Sequence, residues 1–348
     1  MNKLLSVLKY ISFLGVSVFL MWYALRELDF ERMWAEFKHA NYFWIIVSLV
    51  MGVVAYVSRA YRWQLQIKPT GYQPSLANTY HAMMIGYLAN LVLPRMGEVV
   101  RCSVLKRTDN LPVNTGFGTV IAERFIDMLM LLGALGLTLL FEFDRLRDFF
   151  FSSFTEKYNS VEQGLSTLYV FGSLLLAGVV AVAVLILLFL NKLRRNSYFI
   201  RVVSFIKGML QGIFSITKVD KQFAFWSHSV FVWVMFYFMS LVVLYALPAT
   251  SGLSFSAGLS VLVIGSLGMA APVQGGIGVY HLAVQTTLLL YGVPKEAGMA
   301  YALLAHTSQT LLVVLMGVLS FMATMLRPRT SAVAQAVDAK AQTHELKG

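Results

Sequence analysis

A dense group of polar residues interrupts apolar sequence near residue 95, and its side chains have the chemistry to bind an anion. Arg95 and Arg101 carry permanently charged planar donors suited to a phosphate, and Glu98 can balance them or recognise an amine. A proline without an N–H and a glycine that permits a turn allow the chain to break here. The alternative is an inner-surface turn whose arginines meet anionic headgroups nonspecifically. The full group is Asn90, Pro94, Arg95, Gly97, Glu98 and Arg101.

Three ionisable residues, Glu123, Arg124 and Asp127, lie in an otherwise uncharged apolar stretch. At 100° per residue they occupy one narrow face of a helix, on the order of 10 to 16 Å beyond the start of that stretch. Each ionisable group there costs roughly 2.5 kcal/mol or more unless it is paired or faces water, so the three are candidates for function. A purely structural ion-paired cluster is the alternative. Because two acids and one arginine leave one negative charge, we expect a basic partner, Arg95 or Arg101.

A second break begins at Pro272, 178 positions after Pro94 and about half the chain length further on. Interrupted apolar segments at corresponding positions of two halves indicate a transporter site built from repeats, here an inverted repeat. Three glycines let the backbone approach a ligand closely, and the helix that follows offers free N–H groups to a phosphate. A tight hairpin between two complete spans is the alternative. The three glycines are Gly275, Gly276 and Gly278.

Three polar residues in the last apolar segments, His281, His306 and Gln309, are secondary candidates for ligand contact. For each of them, a hydrogen bond between helices is the alternative. The single cysteine, Cys102, excludes a disulfide framework or a multi-cysteine metal site, and Walker, HExxH and GxSxG motifs are absent. We therefore expect no metal, no cofactor and no catalytic residue, and we expect that the protein is not an enzyme.

The elements that must position these residues are membrane helices. The chain is 58% hydrophobic and only 13% charged, with a mean hydropathy of +0.69, whereas soluble domains are about 25% charged. The predicted fold is an all-α polytopic membrane protein with about seven to eight transmembrane helices plus re-entrant or broken segments. The predicted spans are 4–25, 41–58, 117–140, 166–190, 222–247, 253–271, 278–293 and 298–326.

The segment 82–93 is too short to cross, and we expect it to be re-entrant because of the charge distribution. With a cytoplasmic N-terminus, inner segments then carry 20 basic residues and outer segments 7, as cytoplasmic loops should. Both termini are then cytoplasmic, with a membrane domain over 1–326 and a disordered tail over 327–348. Whether 253–293 forms a full hairpin or a re-entrant pair stays open.

Three sequence pieces together resemble a known membrane family: NLVLPRMGEVVR at 90–101, ERFID at 123–127 and GGIG at 275–278. They are similar to the membrane domain of lysylphosphatidylglycerol synthases, whose stand-alone relatives are grouped as flippase-like UPF0104 proteins. The resemblance implies movement of a lipid, often one with a modified headgroup, between leaflets. The aminoacyl-transferring domain of full-length synthases is not seen here, so we expect no synthesis of lysyl lipid. Tyr280-His281 stands where the family commonly has Arg-Glu, so an acidic role at that position is not carried over.

The resulting hypothesis is a lipid translocase of the bacterial inner membrane that moves a phospholipid or a modified or glycosylated lipid. An anionic or modified headgroup would enter a polar cavity lined by the two breaks, and movement would be downhill, ion-coupled or driven by a partner. A lipid-modifying enzyme is an expected partner and nucleic acid is not, because the basic residues are spread over several loops. The alternatives are a polyprenyl-phosphate-dependent glycosyltransferase using Glu27 and Asp29, or a non-catalytic scaffold of a lipid-modifying complex. The identity of the lipid and the direction of movement stay open.

Overall fold

Helices make up the part of the protein that the structure describes. The computed structural model describes residues 15–93, 95–142, 207–208, 210–271 and 273–326. Every long regular element in these ranges is a helix, which confirms the predicted all-α membrane class. The helices are α1 Gly15–Leu25, α2 Phe30–His39, α3 Tyr42–Ile67, α4 Leu76–Val92, α5 Gly97–Asp109, α6 Val113–Phe141, α7 Gln222–Leu244, α8 Phe255–Ala270, α9 Val279–Leu290 and α10 Lys295–Leu326.

The chain forms two compact units. The first comprises Met1–Leu135 and Met209–Gly348, and it contains every residue discussed below. The second is Gly136–Gly208, of which the structure describes only residues 136–142 and 207–208. The predicted span 166–190 and the predicted tail 327–348 lie outside the described residues.

Among the helices of the described ranges, four are long and apolar enough to cross a membrane, namely α3, α6, α7 and α10. α3 differs from its prediction, because it continues to Ile67 although the span was expected to end at residue 58. Arg59 and Arg62 lie inside this helix and are buried. Carboxylates of α6 pair with both arginines, so their charges do not end the buried part of the helix.

Helices α4 and α5 form an antiparallel pair, hairpin 1, that is too short to cross a bilayer twice. At its open end Asn78 Nδ2 donates to Asp109 at 3.1 Å, and at its tip the Gly97 N–H donates to Asn90 Oδ1 at 2.7 Å. The two helices have 17 and 13 residues, about 26 and 20 Å, against a hydrocarbon core of about 30 Å. Hairpin 1 therefore has the geometry that the predicted re-entrant segment requires.

Helices α8 and α9 form a second short pair, hairpin 2. The Ser260 and Tyr291 hydroxyls lie 2.7 Å apart at its open end, and Gly268 packs against the Tyr280 backbone near its tip. The helices have 16 and 12 residues, about 24 and 18 Å. The dimensions of this region are those expected of a re-entrant pair.

The two hairpins enter the helix bundle from opposite ends. α3 and α7 run antiparallel, since the Asn41 N–H donates to Ala246 O at 2.7 Å and the Ser58 hydroxyl lies 2.7 Å from His228 Nδ1. Hairpin 1 begins just after the C-terminal end of α3, and hairpin 2 begins just after the C-terminal end of α7. Those two ends lie on opposite sides of the antiparallel pair.

The same order of elements occurs twice along the chain. A long helix, a short hairpin and another long helix appear as α3 to α6, with 26, 17, 13 and 29 residues, and again as α7 to α10, with 23, 16, 12 and 32. Because the hairpins enter from opposite ends, this order and these lengths are those expected of an inverted repeat. The sequence predicted this arrangement, because its two breaks lie about half the chain length apart.

Candidate functional site

The tips of the two hairpins contact each other through two exposed hydrogen bonds. Gln274 Nε2 donates to Val92 O at 3.1 Å, and Arg95 Nη2 donates to Ala270 O at 3.3 Å. We call this pair of hydrogen bonds the tip contact. The structure therefore brings together the two breaks that the sequence predicted to line one site.

The tip of hairpin 1 is fixed by contacts within the hairpin. Asn90 Oδ1 accepts the first N–H of α5, and Gly97 packs directly against Gly86, where a side chain would collide with the Gly86 carbonyl. Arg95 adopts a left-handed conformation with φ of 63° and is exposed. Its guanidinium reaches a carbonyl at the C-terminal end of α8, a favourable place for a cation. Pro94, also predicted for this tip, lies outside the described residues.

The tip of hairpin 2 contains all three predicted glycines in left-handed or related backbone conformations. Their φ angles are 57° at Gly275, 75° at Gly276 and 85° at Gly278. A Cβ on Gly278 would lie 2.6 Å from Leu20 Cβ of α1, so only glycine fits both the angle and the space. The close neighbours of this turn are thus protein atoms. Pro272 lies outside the described residues.

A buried group of charged side chains, the charged cluster, lies one helical turn from the tip of hairpin 1. α3 contributes two arginines, α5 one arginine and α6 two carboxylates. The atom pairs are Arg59 Nε and Glu123 Oε1 at 2.8 Å, Arg59 Nη2 and Asp127 Oδ2 at 2.5 Å, Arg62 Nη2 and Asp127 Oδ1 at 2.8 Å, Arg62 Nη2 and Glu123 Oε1 at 3.3 Å, and Arg101 Nη1 and Glu123 Oε2 at 2.8 Å.

The basic partner expected for the α6 acids is present, but it consists of three arginines. Arg101 was one of the two predicted partners, whereas Arg95 donates to the tip contact instead. Arg59 and Arg62 were missed because the span was ended at its first charge. Their three-residue spacing, which places both on one face of a continued α3, was the signal available.

Arg124 does not join the other two ionisable residues of α6. Its side chain is 45% exposed and pairs with Glu98 at 3.1 Å, while Glu123 is buried among the arginines. The narrow face predicted for the three residues therefore divides into a buried part and an exposed part. Glu98 and Arg124 form a separate ion pair beside the charged cluster.

The charged cluster has one more positive than negative charge, because three arginines face two carboxylates. Arg62 Nη1 and the Nε and Nη2 atoms of Arg101 are buried and have no hydrogen-bond partner among the described residues. Arg101 Nη1 is within ion-pair distance of Glu123 but not aligned for a hydrogen bond. Buried donors of this kind are costly unless an acceptor satisfies them. The excess charge and the unfilled donors together suit an anion.

A tryptophan positions the Arg101 guanidinium. The guanidinium carbon lies 4.5 Å from the centre of the Trp63 ring, and Trp63 Nε1 donates to Thr119 Oγ1 at 3.0 Å. Trp63 is fully buried. Its ring is thus fixed on one face of Arg101 and leaves the edges of the guanidinium as the donors.

The secondary candidates make hydrogen bonds within the protein, two of them between segments and one at the start of α9. Gln309 Nε2 donates to Ser48 O at 3.3 Å, joining α10 to α3. His306 Nε2 donates to Gly275 O at 2.8 Å, and His281 Nδ1 accepts the Gly278 N–H at 3.3 Å. In the described ranges, no group of three or more His, Cys, Asp or Glu side chains is placed to hold a metal ion.

The acidic pair of the first loop is separate from the charged cluster. Asp29 accepts the Glu31 and Arg32 N–H groups and so caps α2. Glu27 pairs with Arg26 at 3.1 Å and has a side chain that is 64% exposed. Asp29 therefore has a structural role, and Glu27 is accessible.

Comparisons with known proteins agree with the resemblance drawn from the three motifs. A sequence profile described as the lysylphosphatidylglycerol synthase TM region matches residues 11–317. Glycosyltransferase AglD of Haloferax volcanii is 25% identical over 329 residues, which cover 87% of this chain and 52% of that protein. A UPF0104 membrane protein of Methanocaldococcus jannaschii is 25% identical over 125 residues, 35% of this chain and 36% of that protein. No solved structure matches the chain significantly.

One of these relatives overturns an expectation drawn from the sequence. The chain was expected not to be an enzyme, but a relative that matches 87% of it is named a glycosyltransferase. That expectation is therefore wrong. The chain spans about half the length of this relative and less of the other.

Proposed function

The chain belongs to the lysylphosphatidylglycerol synthase TM region family, a membrane family with a lipid-related function, and we propose that it is a lipid translocase. It moves a phospholipid, or a lipid with a modified or glycosylated headgroup, between the leaflets of the bacterial inner membrane, with both termini cytoplasmic. A lipid-modifying enzyme that supplies the substrate is the proposed partner.

The tip contact is the observation that carries this proposal. Two half-length hairpins enter from opposite ends and meet at Gln274 and Val92, so a movement of either tip would separate them. Broken segments that meet in this way let transporters present one site alternately to the two sides of a membrane. A headgroup can then pass between the tips while its acyl chains stay in the bilayer.

The charged cluster supplies the attraction for the headgroup. Arg101 is one turn from the tip of hairpin 1, and its unfilled donors match the acceptor oxygens of a phosphate. Arg62 offers a further donor next to it. Glu123 and Asp127 limit the excess to one positive charge, which binds an anionic headgroup without trapping it. Glu98 and Arg124 flank this path.

Leaflet exchange in reconstituted vesicles tests the function and the site together. The purified protein is placed in vesicles of phosphatidylcholine and phosphatidylglycerol that contain trace fluorescent phosphatidylglycerol, and inner-leaflet probe is followed as it becomes accessible to dithionite. Wild-type protein is expected to exchange the probe much faster than empty vesicles. Arg101→Gln is expected to slow exchange by about 10-fold to 100-fold, the equivalent of one charge-assisted hydrogen bond.

Arg107→Gln is the matched control, because Arg107 lies on the same helix but is exposed, and its guanidinium donates to the Met325 sulfur rather than to a carboxylate. It should exchange lipid at the wild-type rate. Exchange by folded wild-type protein no faster than by empty vesicles would overturn the proposed function. Equal slowing of lipid exchange in Arg101→Gln and Arg107→Gln would show that Arg101 is not part of the site, while the proposed translocation would stand.

A glycosyltransferase is the second candidate, favoured by the name of the relative AglD. In the hypothesis drawn from the sequence, its acidic residues are Glu27 and Asp29. Of these, Glu27 is accessible and Asp29 caps α2. Loss of sugar transfer from a polyprenyl-phosphate donor in Glu27→Gln, with Arg101→Gln fully active, would favour this candidate.

A further inference from the structure

Two histidines fasten the tip of hairpin 2, and the proposed path of the headgroup uses neither. His281 is on the first turn of α9 and accepts the Gly278 N–H at its Nδ1 atom. His306 is on α10 and donates from Nε2 to Gly275 O. The two rings meet edge to face with their centres 4.9 Å apart. Both bonds hold the turn that makes the tip contact.

The hydrogen bond from Gly278 defines the protonation state of His281. A ring nitrogen that accepts an N–H carries no hydrogen, so His281 is neutral and its hydrogen is on Nε2. Nε2 is buried and has no hydrogen-bond partner within the described part of the chain. An unsatisfied buried donor of this kind is rare and calls for an explanation.

A proton added to His281 would break the fastening. It would bind at Nδ1 and turn the acceptor into a donor that faces the Gly278 N–H, so the bond would be lost and two donors would oppose each other. Gly278 would then lose the contact that supports its φ of 85°. His306 keeps its bond in either charge state, because its donor is Nε2. His281 is therefore the histidine of this pair whose protonation weakens the fastening of the tip.

The surroundings of His281 disfavour a charged ring while the tip is closed. The titratable groups nearest to it are His306 from α10 and Tyr280, whose ring stacks on His306 at 5.1 Å. The α8 sequence has no ionisable side chain, and the described part of α1 has only Tyr23. None of these is a carboxylate, so a charge on His281 is stabilised only when the tip opens to water.

We propose that His281 is a proton-binding site that couples lipid movement to a proton gradient. The proposal rests on the proposed translocase function and supplies its energy source. Opening favours protonation, so by linkage protonation favours opening to the same extent. A proton binds Nδ1 from one side while the tip is open and leaves to the other side when the tip closes again. Each cycle moves one proton and one lipid, with no covalent step.

The variant His281→Asn keeps the hydrogen bond to Gly278 but cannot bind the proton. The carboxamide oxygen can occupy the position of Nδ1 and accept the Gly278 N–H, but it cannot be protonated near neutral pH. His39→Asn is the matched control, since His39 is an exposed histidine at the end of α2. Both variants are reconstituted in the vesicles described above, with a pH-sensitive dye inside and a pH gradient of either direction.

A gradient of about one pH unit is expected to change the ratio of inward to outward lipid movement by about tenfold in wild type, and reversing the gradient should reverse the ratio. The dye should report proton movement that requires the lipid. His281→Asn should respond to neither gradient, and without a gradient it should exchange lipid more slowly than wild type, because its tip opens without the help of a proton. His39→Asn should behave as wild type.

Wild-type exchange that ignores the gradient, or a full response in His281→Asn, would overturn proton coupling and leave translocation standing. Absence of exchange by wild type would overturn the translocase itself, and a second measurement then decides the proton site. Amide hydrogen exchange over residues 275–279, compared at equal pH, should become faster in wild type than in His281→Asn as the pH falls. Equal exchange at every pH would overturn the proton site.

Discussion

At the scale of single residues, burial of the charged cluster costs free energy, and its excess positive charge suits an anionic ligand. Five ionisable side chains lie together in the interior of a membrane protein, and the acids satisfy only part of the arginines. A structural ion cluster would approach neutrality, because an excess charge in a bilayer costs free energy. The remaining positive charge is therefore the feature that points to a ligand rather than to stability alone.

Glu123→Gln is expected to lower the free energy of unfolding by about 3–5 kcal/mol, because it leaves buried arginines without their shared carboxylate. Chemical denaturation in detergent measures this loss. Glu98→Gln is the control, since its one ion-pair partner in the described ranges, Arg124, is partly exposed and such pairs contribute at most about 1 kcal/mol. Adding Arg101→Met to Glu123→Gln restores the net charge and should recover much of the loss. An unrecovered loss would mean that shape, not charge, sets the stability of the cluster.

Cys102 is expected to resist maleimide from either side of the membrane in the folded protein. Its thiol is fully buried between α4, α5 and the start of α6, and buried thiols in apolar surroundings are inert. Labelling should appear only after denaturation. Labelling of the native protein from one side would show that hairpin 1 opens far enough to expose this residue.

At the scale of elements, the hairpins depend on close backbone packing at their tips. Gly97 lies against the Gly86 carbonyl with no space for a methyl group, whereas a methyl group on Gly133 of α6 would meet no atom within 4 Å among the described residues. Alanine substitutions at these two glycines therefore distinguish the effect of packing on stability from the effect of helix propensity. Only the first is required by its neighbours.

Gly97→Ala is expected to destabilise the protein by roughly 1–3 kcal/mol through overpacking. Gly133→Ala should be neutral or stabilising by up to about 1 kcal/mol, because alanine favours a helix over glycine. Thermal unfolding of the detergent-solubilised variants compares the two. Equal stabilities of the two variants would mean that the close packing of α4 and α5 at Gly97 does not contribute to the stability of the protein.

The sequence predicted the breaks better than it predicted the ends of the helices. Prolines and glycines favour breaks locally, so the positions of the breaks and the short re-entrant segment at 82–93 could be found from residue types. The length of α3 could not, because its last turns contain Arg59 and Arg62, whose burial depends on acids more than 60 residues away. The role of Arg95 was likewise hidden, since it depends on a carbonyl in the other half of the chain.

At the scale of the whole molecule, the distribution of basic residues distinguishes the same two ends of the helix bundle as the fold does. With Arg59 and Arg62 inside α3, the inner segments keep 18 of the 20 basic residues assigned to them. The end with Glu27 and Lys295, 4.0 Å apart, is opposite to the end with Asn78 and Asp109. The positive-inside tendency predicts that the second of these ends faces the cytoplasm.

Cysteines placed at the two ends should therefore label from opposite sides. In a Cys102→Ala background, Lys295→Cys is expected to react with an impermeant maleimide added to intact cells. Lys106→Cys, exposed at the other end of the bundle, should react only in inverted vesicles. Reaction of both from the same side would contradict the entry of the two hairpins from opposite ends.

The proposed passage of lipid between the two tips is tested most directly by tethering the tips. Val92→Cys and Gln274→Cys, in a Cys102→Ala background, place thiols on the two sides of the tip contact, and a short cleavable bismaleimide joins them. The double variant should exchange lipid before treatment, stop when the tips are tethered and resume after cleavage, while Val92→Cys alone is unaffected. Undiminished exchange through fully tethered tips would contradict translocation between the hairpins.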